Sequence, residues 1–573
     1  MVQDKTAAPV PEGLATGDPA DGPAPGSPKG PSAGPGDGPP GAGAPPPGSR
    51  LALPARVAGA VAGGLLLFLA FPPLGLWFLA PLGMASAVLA VRGTRPRRGT
   101  WLGLLTGFAL LLPGLHWVSP IGTDAWLGLV AMESAFYAPW GAGVALVTRL
   151  RLWPLWGAAL WVAAEWARGQ FPFGGFPWAR VAFSQGESIF TPYAALGGAP
   201  LVSFAVALCG GLLALAVSRL SPFPVSPSIA APGSRWGRAL ALPLAGALAV
   251  PAAALAVPRY GDEGRSVTVG VIQGNVPGRG MHPLGDEPAV VLGNHTRMLH
   301  QMARDVREGR TPRPDLVVLP ENSTDIDPLS DEFARSEIDA AVKDVGVPVL
   351  VGAVVRIGEK NRATRSIVWD PVTGPGAHYD KQQLVPFGEF TPLQGLVLAL
   401  FERASLVGRQ SVAGTRDGDL RLGPVTVGAI NCYEVAFDGI VGDTARTGAT
   451  PLVVQTNNAT YALTNLPPQQ LAMSQLRAVE HNRAVITSAI TGISAYVTPS
   501  GSIAWRTGEL VPAMKVLTVP VRTAQTIATR VGALPEWALI LVGAGATAAA
   551  WRRRTPRAGH PVNREDDQQV GDA

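Results

Sequence analysis

The sequence predicts a polytopic α-helical membrane domain of about eight spans, with an external α/β domain carried between the seventh and the eighth. Three observations predict it. Long apolar runs follow one another from residue 51 to 257 and return near 533–551. Charged residues make up 15% of the chain, against roughly 25% in soluble domains. Between the last two apolar runs the pattern changes to short β-branched stretches alternating with amphipathic helical ones, which is the signature of layered α/β packing.

Residues 1–50 are dominated by Gly, Pro and Ala, as in "PGSPKGPSAGPGDGPPGAGAPPPGS". Such a segment cannot bury enough apolar surface to offset its ordering entropy, so a disordered cytoplasmic tail is expected, and without an apolar core it is not a signal peptide. Seven apolar runs follow, at about 54–72, 74–91, 101–117, 125–148, 152–168, 196–217 and 237–257, with an eighth at 533–551. Each approaches the roughly 17–25 residues that a bilayer-spanning helix needs. The prolines of "FPPLG" suit a tight turn between the first two.

Orientation follows from arginine. Loops on one side carry thirteen, including Arg92, Arg95, Arg97, Arg98, Arg149, Arg151 and Arg219; the opposite side carries Arg168 and Arg180. By the positive-inside rule both termini are expected in the cytoplasm, as is a second tail at 552–573, with residues 258–531 outside the cell membrane. The net charge of +5 is then a matter of topology, and no nucleic-acid partner is expected.

The outer region has strand-like runs at 267–273, 315–321, 347–355, 366–370, 425–430, 451–456 and 485–490, with helical patterns at about 288–308, 331–345 and 468–483. Three stretches of this region lead into reactive side chains. "VVLPEN" reaches Glu321, "HYDKQQLVPFGEF" supplies Lys381 and then Glu389, and "VGAINCYE" reaches Cys432 and Glu434. A thiol, a carboxylate and an amine are a plausible set for covalent acyl transfer: one attacks, one takes the proton, one steadies the oxyanion. Taken singly, each also has a plain structural role, as a small buried hydrophobe, a cap or a solvated charge. Lysine is rare here, six against forty Arg, and only Lys can act as a near-neutral amine.

The order Glu–Lys–Cys, each at a strand end, resembles the nitrilase, or carbon–nitrogen hydrolase, superfamily. The resemblance implies an α-β-β-α sandwich with Glu321 as general base, Lys381 as oxyanion-stabilising cation, Cys432 as nucleophile and Glu389 as an accessory glutamate. Over about 51–551 the chain looks like the membrane branch of that superfamily, the apolipoprotein N-acyltransferases. "QGNVP" (273–277), "LVPFGEF" (384–390), "GGFPWARVAFSQ" (174–185) and "QLRAVEHNR" (475–483) carry the likeness. After "QGN" the chain reads "VPGRGMHPLG", where the family often has a Lys–Trp pair, so a contact shaping substrate binding is expected to differ. Tyr433, Glu434 and Trp178 are expected as accessory or substrate-binding residues.

The implied reaction moves an acyl chain from a phospholipid, through a cysteine thioester, to the N-terminal amine of a diacylated prolipoprotein. No cofactor or metal is implied, since His116, His282 and His481 have no ligand spacing, and a monomer is expected. Two other readings stay open: a membrane-anchored amidase in which water resolves the thioester, and a scaffold or transporter with a degenerate outer domain. Glu133 and Glu165 fall in apolar runs, where acids are functional candidates by default; a helix–helix contact is preferred for Glu133. Cys209 reads as bilayer packing, and Trp178 and Phe176 fit either lipid contact or interfacial anchoring.

Overall fold

The computed structural model describes residues 52–220, 234–278, 280, 287–400 and 407–553. The expected tails at 1–50 and beyond 553, and His282, lie outside the described residues.

Helices occupy the apolar runs. They are α1 (Leu53–Leu69), α2 (Leu79–Val91), α3 (Pro96–Gly114), α4 (Thr123–Ala135), α5 (Tyr137–Val147), α6 (Trp153–Gln170), α7 (Ala194–Leu220) and α8 (Ser234–Ala253). Proline opens α1, α3 and α6 in the first turn, where its missing N–H has no partner to lose. The run expected as one span at 125–148 is broken at Phe136 into α4 and α5. Pro139 lies one turn beyond the break and offers no N–H to the carbonyl of Ala135. In α7, Gly197 and Gly198 leave helical geometry just ahead of Pro200.

Small residues let these helices approach. A Cβ on Gly103 of α3 would lie 2.2 Å from the Tyr137 carbonyl oxygen of α5, so only glycine fits this crossing. Two described helical segments are long and apolar enough to cross a bilayer, Thr191–Leu220 and Leu534–Arg552; Leu53–Leu69, Leu79–Val91 and Leu240–Ala256 are apolar but shorter. The break at Phe136 divides one expected span into two short helices, α4 and α5, whereas the kink at Gly197 leaves Thr191–Leu220 long enough to cross.

Residues 266–520 form two sheets packed face to face. The first has the order β13 (Ala513–Pro520), β1 (Ser266–Gln273), β2 (Leu316–Val318), β3 (Val349–Ile357), β4 (Asn361–Asp370), β5 (Gly374–Asp380), with β6 (Gln410–Ser411) beside β4. The second runs β12 (Ile503–Arg506), β11 (Ala495–Val497), β10 (Val485–Ala489), β9 (Leu452–Thr456), β8 (Val425–Asn431), β7 (Asp419–Leu422). Strands β1–β2–β3 and β8–β9–β10 are parallel, and their crossovers are helices: α9 (Val290–Arg307), α10 (Glu332–Val345), α12 (Asp438–Arg446) and α13 (Leu466–His481). A short α11 (Gln394–Leu400) lies between β5 and β6, and α14 (Ile527–Val531) leads into α15 (Leu534–Arg552).

The period of two sorts each strand. Val267, Val269 and Val271 of β1 meet Val427, Ala429 and Val453 between the sheets, while Ile272 joins Leu299 and Val342 under α9 and α10. The layers are therefore α-β-β-α. Helix α13 is buried along most of its length because it lies between the second sheet and α7.

Where the helical part meets the sandwich, charges are buried in a chain. Arg180 reaches Asp438 at 2.7 Å, Glu536 at 3.4 Å and Glu165 at 3.9 Å; Arg477 of α13 pairs with Asp438 at 2.7 Å and with Glu480. Burial opposes ionisation of Asp438, but Arg180 and Arg477 outweigh it and hold the carboxyl at about 2. Removing Arg180 leaves Glu536 without its cation and Asp438 with Arg477 alone. Arg180→Met is expected to destabilise the protein by about 3–5 kcal/mol, the scale for breaking a buried pair. The thermal midpoint in detergent reads this, and an unchanged midpoint would show that the chain of charges contributes nothing.

Candidate active site

Glu321, Lys381 and Cys432 come from three separate strands and meet at one end of the sandwich. Glu321 follows β2, where the chain turns tightly over β3. A Cβ on Gly352 would sit 2.2 Å from the Pro320 carbonyl oxygen, so this turn requires glycine below it. The Glu321 carboxylate accepts from Lys381 Nζ at 3.1 Å and from the Asn457 backbone N–H at 2.9 Å. Lys381, directly after β5, also donates to Glu389 Oε1 at 2.8 Å. Glu389 is held in turn by the Val385 N–H at 2.7 Å.

Burial pushes the Glu321 carboxyl up; Lys381 pulls it back and Glu389 pushes it further. Burial disfavours the charged Lys381, but Glu321, Glu389 and Cys432 together raise it well above its ordinary value. The ammonium is therefore a permanent charge between two carboxyls.

Cys432 sits on a sharp turn where β8 gives way to a short 3₁₀ helix, Cys432–Ala436, with a backbone φ of +50°. A non-glycine residue in this region costs about 1–3 kcal/mol. Glu434 holds the turn. Its carboxylate accepts from the N–H groups of Asn431 (2.7 Å), Gln382 (2.6 Å) and Gln383 (3.1 Å) and from the Tyr379 hydroxyl (2.8 Å), tying the Cys432 turn to the segment that carries Lys381. Burial pushes the Glu434 carboxyl up to about 7, against the pull of the Asn431 N–H and these other donors. Its bonds make it a clamp. Glu434→Gln turns an NH₂ toward a donor and is expected to lower stability by about 1–3 kcal/mol, measurable as a drop in thermal midpoint.

The Cys432 thiol is pushed up to about 12, chiefly by burial and then by Glu321. It accepts from the Thr456 hydroxyl at 3.1 Å and from Gln470 Nε2 at 3.7 Å. Thr456, Asn457 and Gln470 escaped the sequence reading, although Thr456 closes the strand-like run 451–456 in the same way that Asn431 closes its own.

The helical part supplies a wall. The segment after α6 brings Phe176 and Trp178 onto Tyr433, with ring centroids 5.9 and 6.3 Å away and planes 30° and 14° apart. Trp178 Nε1 donates to Gln469 Oε1 at 2.8 Å, and the Tyr433 hydroxyl donates to the Gly175 carbonyl at 3.0 Å. Glu165 accepts from Trp161 Nε1 and the Val181 N–H, and Glu133 pairs with Arg168, so both acids sit in contacts within the helical part. His116 stacks edge-on against Trp126, His481 meets the Thr529 hydroxyl, and the Cys209 thiol donates to the Ala247 carbonyl at 3.3 Å.

Two parallel βαβ halves packed as α-β-β-α, with a Glu, a Lys and a Cys at neighbouring strand ends, define a carbon–nitrogen hydrolase domain, and residues 288–530 match the model of that family. Residues 63–212 match the apolipoprotein N-acyltransferase N-terminal domain. The chain is 39% identical over 505 residues to the apolipoprotein N-acyltransferase of Mycolicibacterium smegmatis, covering 85% of this chain and 84% of that one. It is 27% identical to the enzyme of that name from Shewanella oneidensis (83% and 92% covered) and 30% identical to that of Pseudomonas putida (78% and 86%). The chain belongs to the apolipoprotein N-acyltransferase family. Among solved structures, an amidase from Nesterenkonia sp. aligns over 46% of this chain and 93% of its own, at 18% identity and a TM-score of 0.33.

Proposed function

We propose that this protein is an N-acyltransferase that uses Cys432 to carry an acyl chain from a phospholipid to the N-terminal amine of a diacylated lipoprotein. The observation that carries the reading is the meeting of Glu321, Lys381 and Cys432 beneath an aromatic wall that the helical part contributes. A thiol pushed up to about 12 is protonated at neutral pH, so attack needs a base. Glu321 takes the thiol proton as sulfur attacks the ester carbonyl. Lys381 and backbone N–H groups hold the oxyanion. The carbon–oxygen bond breaks, Glu321 returns the proton to the leaving lysophospholipid, and a thioester remains. The lipoprotein amine then attacks the thioester, Glu321 takes its proton, and collapse gives an amide and the free thiol.

The helices 51–257 and α15 serve in this reading as a membrane domain of about eight spans, with the sandwich outside the cell membrane and both termini inside. Both substrates are lipid-anchored, so a site fixed on such a bundle lets acyl chains stay in hydrocarbon while the carbonyl reaches sulfur.

Intact mass of the purified protein after incubation with phospholipid is expected to show an acyl adduct, and a chase with diacylated lipopeptide is expected to move that mass to the peptide amine. An adduct cleared equally fast by water without lipopeptide would make the protein an amidase, and no adduct under turnover would sink the mechanism. Adduct formation is further expected to rise with pH as Glu321 ionises, above the ordinary carboxylate range, and then to level off well below the raised thiol value of about 12. A rate that climbs only toward that thiol value would mean that free thiolate, without a base, is the attacking species.

A further inference from the structure

We infer that the buried ion pair Glu133–Arg168, inside the helical part, positions the Cys432 turn for attack; the inference rests on Cys432 being the nucleophile. Glu133 lies near the end of α4 and Arg168 near the end of α6, both fully buried, with Arg168 Nε 3.0 Å from Glu133 Oε2. A buried pair of this kind is weak evidence for stability, because desolvation offsets most of its attraction. This one is also incompletely satisfied. Glu133 Oε1, Arg168 Nη1 and the neighbouring Tyr137 hydroxyl are buried and make no hydrogen bond among the described residues. Stability alone gives no reason for it.

Its connections do. The Arg168 carbonyl accepts from the Phe176 N–H at 2.7 Å, and Arg168 Nη2 donates to the Trp178 carbonyl. One residue therefore fixes both rings that stack on Tyr433, the neighbour of Cys432. Trp178 also anchors Gln469, whose amide donates to the Gly114 carbonyl of α3 at 3.3 Å. The next residue, Gln470, accepts from Thr456 at 3.0 Å and approaches Cys432 Sγ at 3.7 Å. Two routes thus lead from Arg168 to the thiol, one through Tyr433 and one through Gln469 and Gln470. Glu133 fixes the guanidinium plane from which both start. Arg168 and Glu133 are positioning residues, since neither touches Cys432.

The test is the full-length double variant E133L/R168M in detergent. Apolar replacement of a whole buried pair is commonly neutral or stabilising, so the thermal midpoint is expected to hold. Acyl-adduct formation at saturating phospholipid is expected to fall about a hundredfold, the scale for a misplacement of about 1 Å, with half-saturating phospholipid unchanged. The alkylation rate of Cys432 by iodoacetamide, read by peptide mass, is expected to change with it. Wild-type rates in both assays would overturn the inference, as would a loss that only follows the folded fraction. Should the double variant fail to fold, E133Q, which keeps an acceptor for Arg168, decides: a smaller loss at an unchanged midpoint supports the inference, and wild-type behaviour in both assays overturns it. If the wild type itself forms no adduct, the acyl-transfer reading falls, and the alkylation rates still decide whether the pair positions the thiol.

Discussion

Exchange of Cys432 for alanine leaves no acyl adduct on the protein and lowers transfer by about 10⁴- to 10⁶-fold, the range for deleting a member of a nucleophilic triad. The loss is chemical. Thr456 keeps Asn458 Oδ1 at 2.8 Å and Gln470 Oε1 at 3.0 Å as alternative acceptors, so removing sulfur costs only the long 3.7 Å contact from Gln470 Nε2. The thermal midpoint of Cys432→Ala is therefore expected to stay close to wild type. Cys432→Gly is equally inactive but more stable than Cys432→Ala by about 1 kcal/mol, because glycine adopts a φ of +50° without strain. The comparison separates the two things this position does: it carries the thiol, and it holds a backbone conformation the thiol needs. Equal midpoints for the glycine and alanine variants would show that the turn stores no strain, and an acyl adduct on Cys432→Ala would place the nucleophile elsewhere.

Lys381→Met has the second large effect, on stability and activity together. The ammonium stands 3.1 Å from Glu321 and 2.8 Å from Glu389, itself almost wholly buried. Without it two carboxylates face one another at low dielectric, at a cost of about 3–5 kcal/mol. Transfer falls by about 10²–10³-fold for the lost oxyanion partner alone. The variant relieves the repulsion by keeping a proton on Glu321, whose carboxyl burial already pushes up and the loss of Lys381 pushes further above its unfolded value. A group raised in this way stabilises below its unfolded pKa and loses that contribution as pH rises through the folded value. The stability gap between Lys381→Met and wild type is accordingly expected to be small in mild acid and to widen toward alkaline pH. Adding Glu389→Gln removes one of the two charges and is expected to restore much of the thermal midpoint without restoring transfer. A gap that does not change with pH would mean that Lys381 is not what favours the ionised Glu321.

Much of the fold was legible because strongly patterned segments declare themselves. The runs "VTVGVIQ", "VPVLVGAVV" and "PLVVQT" coincide with β1, β3 and β9, and the helical patterns at 288–308, 331–345 and 468–483 with α9, α10 and α13. What escaped had weak local signals. Strand β5 reads "GPGAHYD", poor in β-branched residues, and forms because β4 presents a ladder to it. Strand β13 pairs antiparallel with β1 across more of the chain than any local window spans. The break at Phe136 had a visible cause in Pro139, yet hydrophobicity alone runs straight through it.

At the site the division is sharper. The sequence by itself determined which chemical groups stand at strand ends: a carboxylate at Glu321, an amine at Lys381, a thiol at Cys432, and the acids Glu389 and Glu434 near them. The ends after β2 and β8 are readable because the apolar run stops there, whereas Lys381 follows the weakly patterned β5 and was placed by the family resemblance. Only the tertiary structure decided how those groups divide their work. Glu389 shares the ammonium with Glu321, whereas Glu434 turns away into four hydrogen bonds that hold the Cys432 turn. Asn457, Thr456 and Gln470 reach Glu321 and the thiol from the end of β9 and from α13, and Arg168 is joined to Gln469, the neighbour of Gln470, through Trp178. Such contacts join residues separated by tens to hundreds of positions, and their geometry comes from how the layers pack. Local pattern carries element type and chemical identity; the distances between side chains are set only when the helical part and the sandwich close on one another.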